Sequence, residues 1–489
     1  MMGSLANTSL LTVVTNLVTT VALAQMPFAL DTSFRTTIQD QYVNSLLVVQ
    51  DGKVIISGNI RFPGDMSVRA GARLDPNGAR DPSFPNVVYM GGKLVPWNDR
   101  VYSGNASIVR RHLFNGSLDP AFIMMNSGPY FLSLQGGDYH VYPDGRVLIS
   151  GKHTLNDVAR GFVGNYNLIW FSNTGYLDTT RVHRRGNGVL NRFKQLPDGG
   201  FIISGNCTQF DGEPVDAVFR TDADGVPDTT FHTGVYTGIV GSYLPLMDGR
   251  VYVGGRFKRW QAPQDTLLLV RFMHDGSLDP SFNMPQFTLG AFPVSLGRGV
   301  TYLYPWDDGR IIAAGTFHYV NGLPRSGICM LDSTGAVLDA FDDCGIGPFT
   351  YQGLTSASVD YVVRDTANNF LYLNGAYTGY SDGITNDTMQ RFVTRLHVGD
   401  ITTNITAKPA LQWSVYPNPA SEVVTLAVET LPRNVTVIVR DALGREMQRH
   451  SMVSYYTTLD LKPLPNGIYH IELFSDRERI GTQRVVMQH

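Results

Sequence analysis

One octet constrains this chain more than any other feature: Asp248-Gly249-Arg250-Val251-Tyr252-Val253-Gly254-Gly255, a turn running into a short apolar strand. It recurs at 51–58, 99–104, 144–151, 198–205, 308–315 and, degraded, at 368–375, so nearly everything before residue 400 is built from it. Asp-Gly between two apolar runs supplies the positive φ that a tight hairpin turn demands. The residues after the turn are apolar at both parities (Val54-Ile55-Ile56, Val147-Leu148-Ile149, Phe201-Ile202-Ile203). A sheet with one wet face would alternate, so each copy predicts a strand covered on both sides. Every run then ends in a small residue and glycine, as at Ser57-Gly58, Ser204-Gly205 and Ala314-Gly315, which predicts a close backbone approach there.

A second element follows each octet. It is a glycine turn, an aspartate three residues later and usually a closing phenylalanine: Gly78/Asp81/Phe84, Gly116/Asp119/Phe122, Gly225/Asp228/Phe231 and Gly276/Asp279/Phe282. Two copies depart, one with Arg181 in the phenylalanine position and one shifted by a residue at Gly335/Asp339/Phe341. The ends of the array carry the most information. Leu30-Asp31-Thr32-Ser33-Phe34 is such an element standing alone before the first hairpin, while the last hairpin, ending at Leu396, has none. First and second elements balance only if the N-terminus completes the last unit. A linear solenoid has no need of that exchange, whereas a closed ring does, because it removes the exposed sheet edge. The expected fold is therefore all-β: a seven-bladed β-propeller closed by an N-terminal strand, with a repeat spacing of roughly 40 to 60 residues that suits four-stranded blades.

The remaining composition bounds what surrounds this ring. Fifty glycines and 17% charged residues suit many short strands joined by turns, and a net charge of −3 predicts no nucleic-acid partner. Residues 1–24 resemble a signal peptide: Leu10 to Ala24 is apolar, and Ala22-Leu23-Ala24 before Gln25 fits small-x-small cleavage. After its removal no stretch is long enough to span a membrane as a helix. Three cysteines are too few for a disulfide framework. Cys329 and Cys344 flank the sixth copy's second element and are compatible with a disulfide across neighbouring strands or with two separately packed thiols, while Cys207 reads as a small core residue.

Past Leu396 the period stops. Residues 25–397 read as the ring, 398–412 as a Thr-rich linker, and 413–489 as a separate module of short alternating strands that fits a small β-sandwich. That module opens with Val415-Tyr416-Pro417-Asn418-Pro419-Ala420, continues through a polar tip, Asp441-Ala442-Leu443-Gly444-Arg445, and reaches Leu464-Pro465-Asn466-Gly467-Ile468-Tyr469. In this order, at the extreme C-terminus, these residues resemble the C-terminal sorting domain of the type IX (Por) secretion system, with Tyr416, Pro417, Asn418, Pro419, Gly444, Gly467 and Tyr469 as the motif. The resemblance implies the type IX machinery as a partner, passage across the outer membrane of a Gram-negative cell, and a secreted or surface-attached product. The repeats in turn resemble the delta-60-repeat β-propellers, a likeness covering about three quarters of the chain that implies the fold and no catalytic residues.

Within a blade the short glycine turns share one face, so the second-to-third hairpins and the blade crossings lie on the other. Those segments hold Tyr130, Phe131, Trp260, Phe287, Tyr319, Phe349 and Tyr351, aromatic rings that could stack on a sugar, anchor a peptide, or simply plug that face as a satellite core. Asp222-Ala223-Asp224-Gly225 and Asp75-Pro76-Asn77-Gly78 have the alternating oxygens of a calcium loop, but equivalent copies at Asn115-Gly116 and Thr334-Gly335 carry fewer carboxylates, so a turn is the shared requirement. No nucleophile elbow, metalloprotease helix, paired-cysteine or phosphate-loop motif is present, and the expectation is no cofactor and no metal. The leading reading is an exported, non-enzymatic binding module for an extracellular glycan, peptide or surface protein. Two others stay open: a polysaccharide hydrolase or lyase with carboxylates at the channel, and a structural adhesion component.

Overall fold

The computed structural model describes residues 27–87, 89–123, 130–289, 299–351, 353–399, 413–428, 435–442, 444–452, 454, 456–475 and 478–489. The signal segment 1–24 and most of the linker 398–412 lie outside the described residues. The chain divides into two compact units, Met1–Asp400 and Ile401–His489.

The first unit is a succession of antiparallel meanders in chain order. They are Asp40–Val48 with Val54–Arg61 and Arg69–Leu74; Lys93–Trp97 with Arg100–Asn105 and Ile108–Leu113; and Phe131–Val141 with Val147–Asp157 and Phe162–Phe171. Next come Leu190–Gln195 with Phe201–Gly205 and Val218–Thr221, then Val235–Pro245 with Val251–Arg259 and Ala262–Phe272. The series ends with Val300–Pro305, Ile311–Gly315 and Ile328–Leu331, and with Ser358–Asp365, Phe370–Asp382 and Asn386–Val398. The middle strands are buried on both faces because each face packs on a different neighbour. Ile55 joins Phe84, Leu94 and Val101 of the second sheet's side, whereas Val54 and Ile56 share a cluster with Tyr372, Phe392 and Val393 of the last sheet.

The small-plus-glycine endings meet a backbone bulge. A Cβ on Gly205 would lie 2.1 Å from the Val189 carbonyl oxygen and one on Gly315 2.0 Å from that of Gly299, while the partner strands slip register at Leu190/Arg192 and Val300/Tyr302. Only a residue without a side chain permits this approach. The Asp-Gly turns come in two forms. In the first and sixth sheets both residues have positive φ (Asp51 and Gly52, Asp308 and Gly309). Elsewhere, as at Tyr142 to Arg146, glycine alone is left-handed and follows a turn closed by Gly145 N–H to Tyr142 C=O, a three-residue hairpin loop.

The second elements differ from the four-stranded expectation. The fourth edge is mostly a single bridge, as at Leu74↔Arg80, His112↔Leu118 and Phe272↔Leu278. The chain bends away at once because the repeat aspartate caps a turn: the Asp279 carboxylate accepts from Ser281 N–H (2.8 Å) and Oγ (2.7 Å). The other carboxylate oxygen takes an arginine from the third strand, eight residues earlier. Arg73 Nε lies 2.8 Å from Asp81, Arg111 Nε 2.6 Å from Asp119 and Arg271 Nε 2.6 Å from Asp279. Each guanidinium also faces the closing phenylalanine (Arg73 on Phe84 at 5.2 Å, Arg271 on Phe282 at 5.1 Å). Its far end donates to a carbonyl in the next sheet's turn, Arg73 to Phe114 (3.1 Å) and Arg111 to Asn173 (2.7 Å). Arginine thus ties strand, turn and neighbouring sheet together.

The irregular third copy inverts this pairing. Trp170 occupies the arginine position and Arg181 the phenylalanine position, and the two still face each other, 5.8 Å apart. The cation and the ring have exchanged places.

The last sheet is completed by the N-terminus. Phe28–Leu30 pairs antiparallel with Asn386–Val398, setting Leu30 opposite Leu396, and adds an edge strand to a sheet that Cys344–Gly347 also joins. The repeat contacts recur across the chain ends: Arg395 pairs with Asp31 (2.7 Å), faces Phe34 (4.8 Å) and donates to Pro76 C=O in the first sheet (2.7 Å). Phe28 also stacks on Phe341 at 4.2 Å.

In the second unit, strands Trp413–Tyr416, Val423–Val428 and Tyr456–Asp460 form one sheet, and Glu446–Met452, Val435–Asp441, Gly467–Ser475 and Glu478–Met487 another. Val424, Leu426 and Leu459 from the first share one core with Val437, Val439, Ile471 and Val485 from the second.

Candidate functional site

The structure separates the aromatic candidates by burial. Phe131 is buried in a core with Tyr139 and Phe171; Tyr130 packs on the same cluster with Arg160 over its ring at 5.9 Å. Phe287 rests on Phe317 (4.8 Å) and Phe349 on Phe392 (4.8 Å). These rings fill gaps beneath the hairpins, because a loop crossing two sheets has apolar edges to cover. The Tyr351 side chain lies outside the described residues.

Trp260 and Tyr319 are the two that keep exposed rings, 66% and 47% accessible. Trp260 sits with Gln261 at the two-residue tip joining Val251–Arg259 to Ala262–Phe272. Its N–H donates to Gly234 C=O (2.9 Å), and its ring stacks on Tyr236 at 4.1 Å with a 24° interplanar angle. The tip is therefore held rather than floppy. Tyr319 lines a cavity of about 420 Å³ with Leu289, His318, Ser326, Asp343 and Cys344. His318 Nδ1 lies 3.0 Å from Ser326 Oγ, and burial lowers its imidazole pKa. Asp343 is the one carboxylate on this lining among the described residues.

Cys329 and Cys344 do not form the disulfide that their flanking positions allowed. Cys329 pairs with Ala313 inside the sixth sheet, while Cys344 pairs with Asp382 in the seventh, and both are free and buried, as is Cys207. Burial pushes the thiols of Cys329 and Cys344 up to about 12, which removes thiolate character. The calcium-like loops are occupied by their own backbone: the Asp222 carboxylate accepts from Asp224 and Val226 N–H (2.9 and 2.8 Å). Among the described residues no group of three or more His, Cys, Asp or Glu could hold a metal ion.

Three histidines, two of them buried and His140 partly so, sit where the charged imidazole is disfavoured. His153 has ring nitrogens 3.0 Å from Ser133 Oγ and 3.0 Å from Ser150 C=O; His183 accepts from Trp170 N–H; His140 lies edge-on to Tyr142. Burial pushes each imidazole from 6.5 to about 4. Between those values the unfolded chain binds protons that the folded one refuses, so stability falls as pH drops from about 6.5 to about 4 and is flat above. Denaturation midpoints measured across this range are expected to decline, and His153→Gln is expected to flatten the decline.

The motif residues of the second unit act as clips. Asn418 receives Val486 N–H on its Oδ1 (3.0 Å) and donates Nδ2 to Arg484 C=O (2.8 Å), which ties the Tyr-Pro-Asn-Pro opening to the last strand. Gly444 has φ 80°, and Arg445 returns its N–H and Nε to the Asp441 carboxylate (2.9 and 2.7 Å). Tyr469 donates its hydroxyl to Pro465 C=O (2.9 Å), closing the turn that contains Gly467. Tyr416 is half-exposed.

Turn chemistry and two-faced strands define a repeat-built all-β unit, and the clipped motifs a separately packed second β module. Residues 414–488 match the family described as secretion system C-terminal sorting domain. Residues 50–84, 196–231, 247–282 and 307–337 match a β-propeller domain of unknown function, DUF5122. The chain therefore carries DUF5122 propeller repeats and a type IX sorting domain, which addresses it through the type IX machinery to the cell surface or the medium. No helix among the described residues is long and apolar enough to cross a membrane.

No curated protein matches the sequence. Among solved structures, the extracellular domain of a hybrid two component system from B. thetaiotaomicron is 10% identical with a TM-score of 0.40; the match covers 95% of this chain but only 58% of that one. PorZ, a surface component of the type-IX secretion system of Porphyromonas gingivalis, is 11% identical over 91% of this chain and 81% of its own, with a TM-score of 0.20. A fungal alcohol oxidase of the AA5 family is 12% identical over 95% and 99%, with a TM-score of 0.37. None of these likenesses is close enough to carry an activity across.

Proposed function

We propose that this chain is a surface-displayed or secreted binding module: a seven-bladed propeller at 25–397, sealed by its own N-terminal strand and delivered by a C-terminal β-sandwich at 413–489. The ligand is an extracellular glycan, peptide or surface protein. The observation that carries this reading is Trp260, an exposed indole stacked on Tyr236 at a hairpin tip whose backbone is anchored to Gly234. An aromatic platform fixed in this way binds a sugar face or apolar side chain at low entropic cost. Tyr319 at the rim of the cavity adds a second exposed ring. The hydrolase reading draws less support, since glycoside hydrolysis uses two carboxyl groups across the scissile bond and the described cavity lining presents Asp343 alone.

The test is a glycan array and a surface-extract pull-down with the full chain, beside Trp260→Ala and Tyr319→Ala. Loss of a captured ligand in either variant supports the proposal. A wild-type chain that is displayed normally yet captures nothing moves the assignment to a structural role.

A further inference from the structure

The first strands of successive sheets bring together a group of charges that the exposed hairpins do not share. On Leu190–Gln195, Phe193 packs into the core, so Arg192 and Lys194, each one residue away, project together from the opposite side. Arg192 reaches to 3.9 Å from Asp138 on the neighbouring sheet. The same carboxylate receives Lys93 Nζ from a third sheet at 3.1 Å, and Lys93 also donates to Tyr139 C=O (2.8 Å). Asp138 is thereby held below the ordinary carboxylate range: burial opposes this, but Lys93 and Arg192 outweigh it.

Lys194 has no ion-pair partner among the described residues. Its side chain touches solvent yet is walled in, and both that crowding and Lys93 nearby lower its ammonium pKa. Lys93, Arg192 and Lys194 thus gather about the Asp138 carboxylate, three cations to one anion, in a chain whose net charge is −3. Beside the cluster the buried hydroxyls of Tyr243 and Ser204 lie close to each other, and neither completes a well-formed hydrogen bond. Ser204 stands opposite Arg192 in register. Hydroxyl donors next to clustered cations are the complement of an oxyanion.

We infer that Arg192, Lys194 and the Tyr243 hydroxyl form an anion-binding site for a carboxylate or sulfate group, whether free or carried on an acidic sugar. Arg192 offers a planar fork and Lys194 a point charge, and a ligand with two or three oxygens satisfies both at once. These residues lie on first strands (Leu190–Gln195 and Val235–Pro245), whereas Trp260 and Tyr319 lie on later hairpins, so the two sites are tested by separate variants.

Isothermal titration of the full chain with sodium sulfate, sodium glucuronate and neutral glucose tests this. Both anions are expected to bind and glucose not to. Lys194→Gln and Arg192→Gln are each expected to weaken the anions by about tenfold or more, as loss of a charge-assisted contact does. Both side chains are exposed enough for the fold to tolerate the change, and unaltered melting confirms it. Binding of sulfate without glucuronate still supports the site and restricts it to a free oxyanion. No anion binding, or equal affinity in Lys194→Gln and wild type, overturns it.

Discussion

Deleting Phe28 to Phe34 is expected to abolish the cooperative melting of the first unit. The deletion removes the edge strand paired with Leu396 to Val398 and leaves Arg395 without Asp31, although both side chains are less than a tenth exposed. It also empties the cluster in which Phe34 packs with Tyr372 and Val393. Stripping one partner from a buried ion pair costs about 3–5 kcal/mol, and removing a buried phenylalanine side chain costs about as much again. Together these approach the 5–15 kcal/mol by which whole domains are stable. Single changes grade the effect: Phe34→Ala and Arg395→Ala are each expected to lower stability by about 3 kcal/mol or more. Circular-dichroism melts and limited proteolysis read the outcome, and a deletion variant that melts like the parent sinks the closure argument.

Asp279→Ala is expected to destabilise by about 3 kcal/mol. This carboxylate accepts from Ser281 N–H and Oγ, from Arg271 Nε at 2.6 Å and from Arg250 Nη1 at 2.9 Å. Its loss strands Arg271, a buried guanidinium whose other end bridges to Ser333 C=O in the next sheet. Asp279 is covered by its own partners near the surface rather than by depth, which places the cost at the lower end of the range for buried pairs. Burial raises the Asp279 pKa, but Ser281 and the two arginines overcome it and hold the carboxyl well below the ordinary range. Its stabilisation is complete above the unfolded value near 3.8 and fades only in stronger acid. The neighbouring repeat carboxylate, Asp275, caps an exposed turn, and its alanine variant is expected to change little. Paired urea titrations separate the two, and equal midpoints for Asp279→Ala and Asp275→Ala refute the arginine clamp.

Much of the first unit is legible before any coordinates. Positive φ at Gly249 and Gly276 follows from turn chemistry, and burial of Ile55 on the opposite face from Val54 and Ile56 follows from apolar residues at both parities. The spacing of the arginine clamp is also present in the sequence: Arg73/Asp81, Arg111/Asp119 and Arg271/Asp279 are each eight apart. It is easily overlooked, because a strand arginine before a polar turn reads as a solvated residue. The exchange of Trp170 and Arg181 looks like decay of the repeat until the two rings of contact are placed side by side. Among the site candidates, Phe131, Phe287 and Phe349 turned inward, and no local pattern distinguishes them from Trp260.

The sequence alone determined the turns, the double-sided strands, the end-for-end exchange and the export address, since each depends on residues close together in the chain or on a count of complete units. Tertiary structure alone decided which aromatics stay exposed, why two cysteines remain apart, and how Lys93, Asp138, Arg192 and Lys194 come to share one space. Those outcomes depend on side chains from different sheets meeting across distances the sequence does not encode, where burial and pairing, rather than local propensity, set the energy.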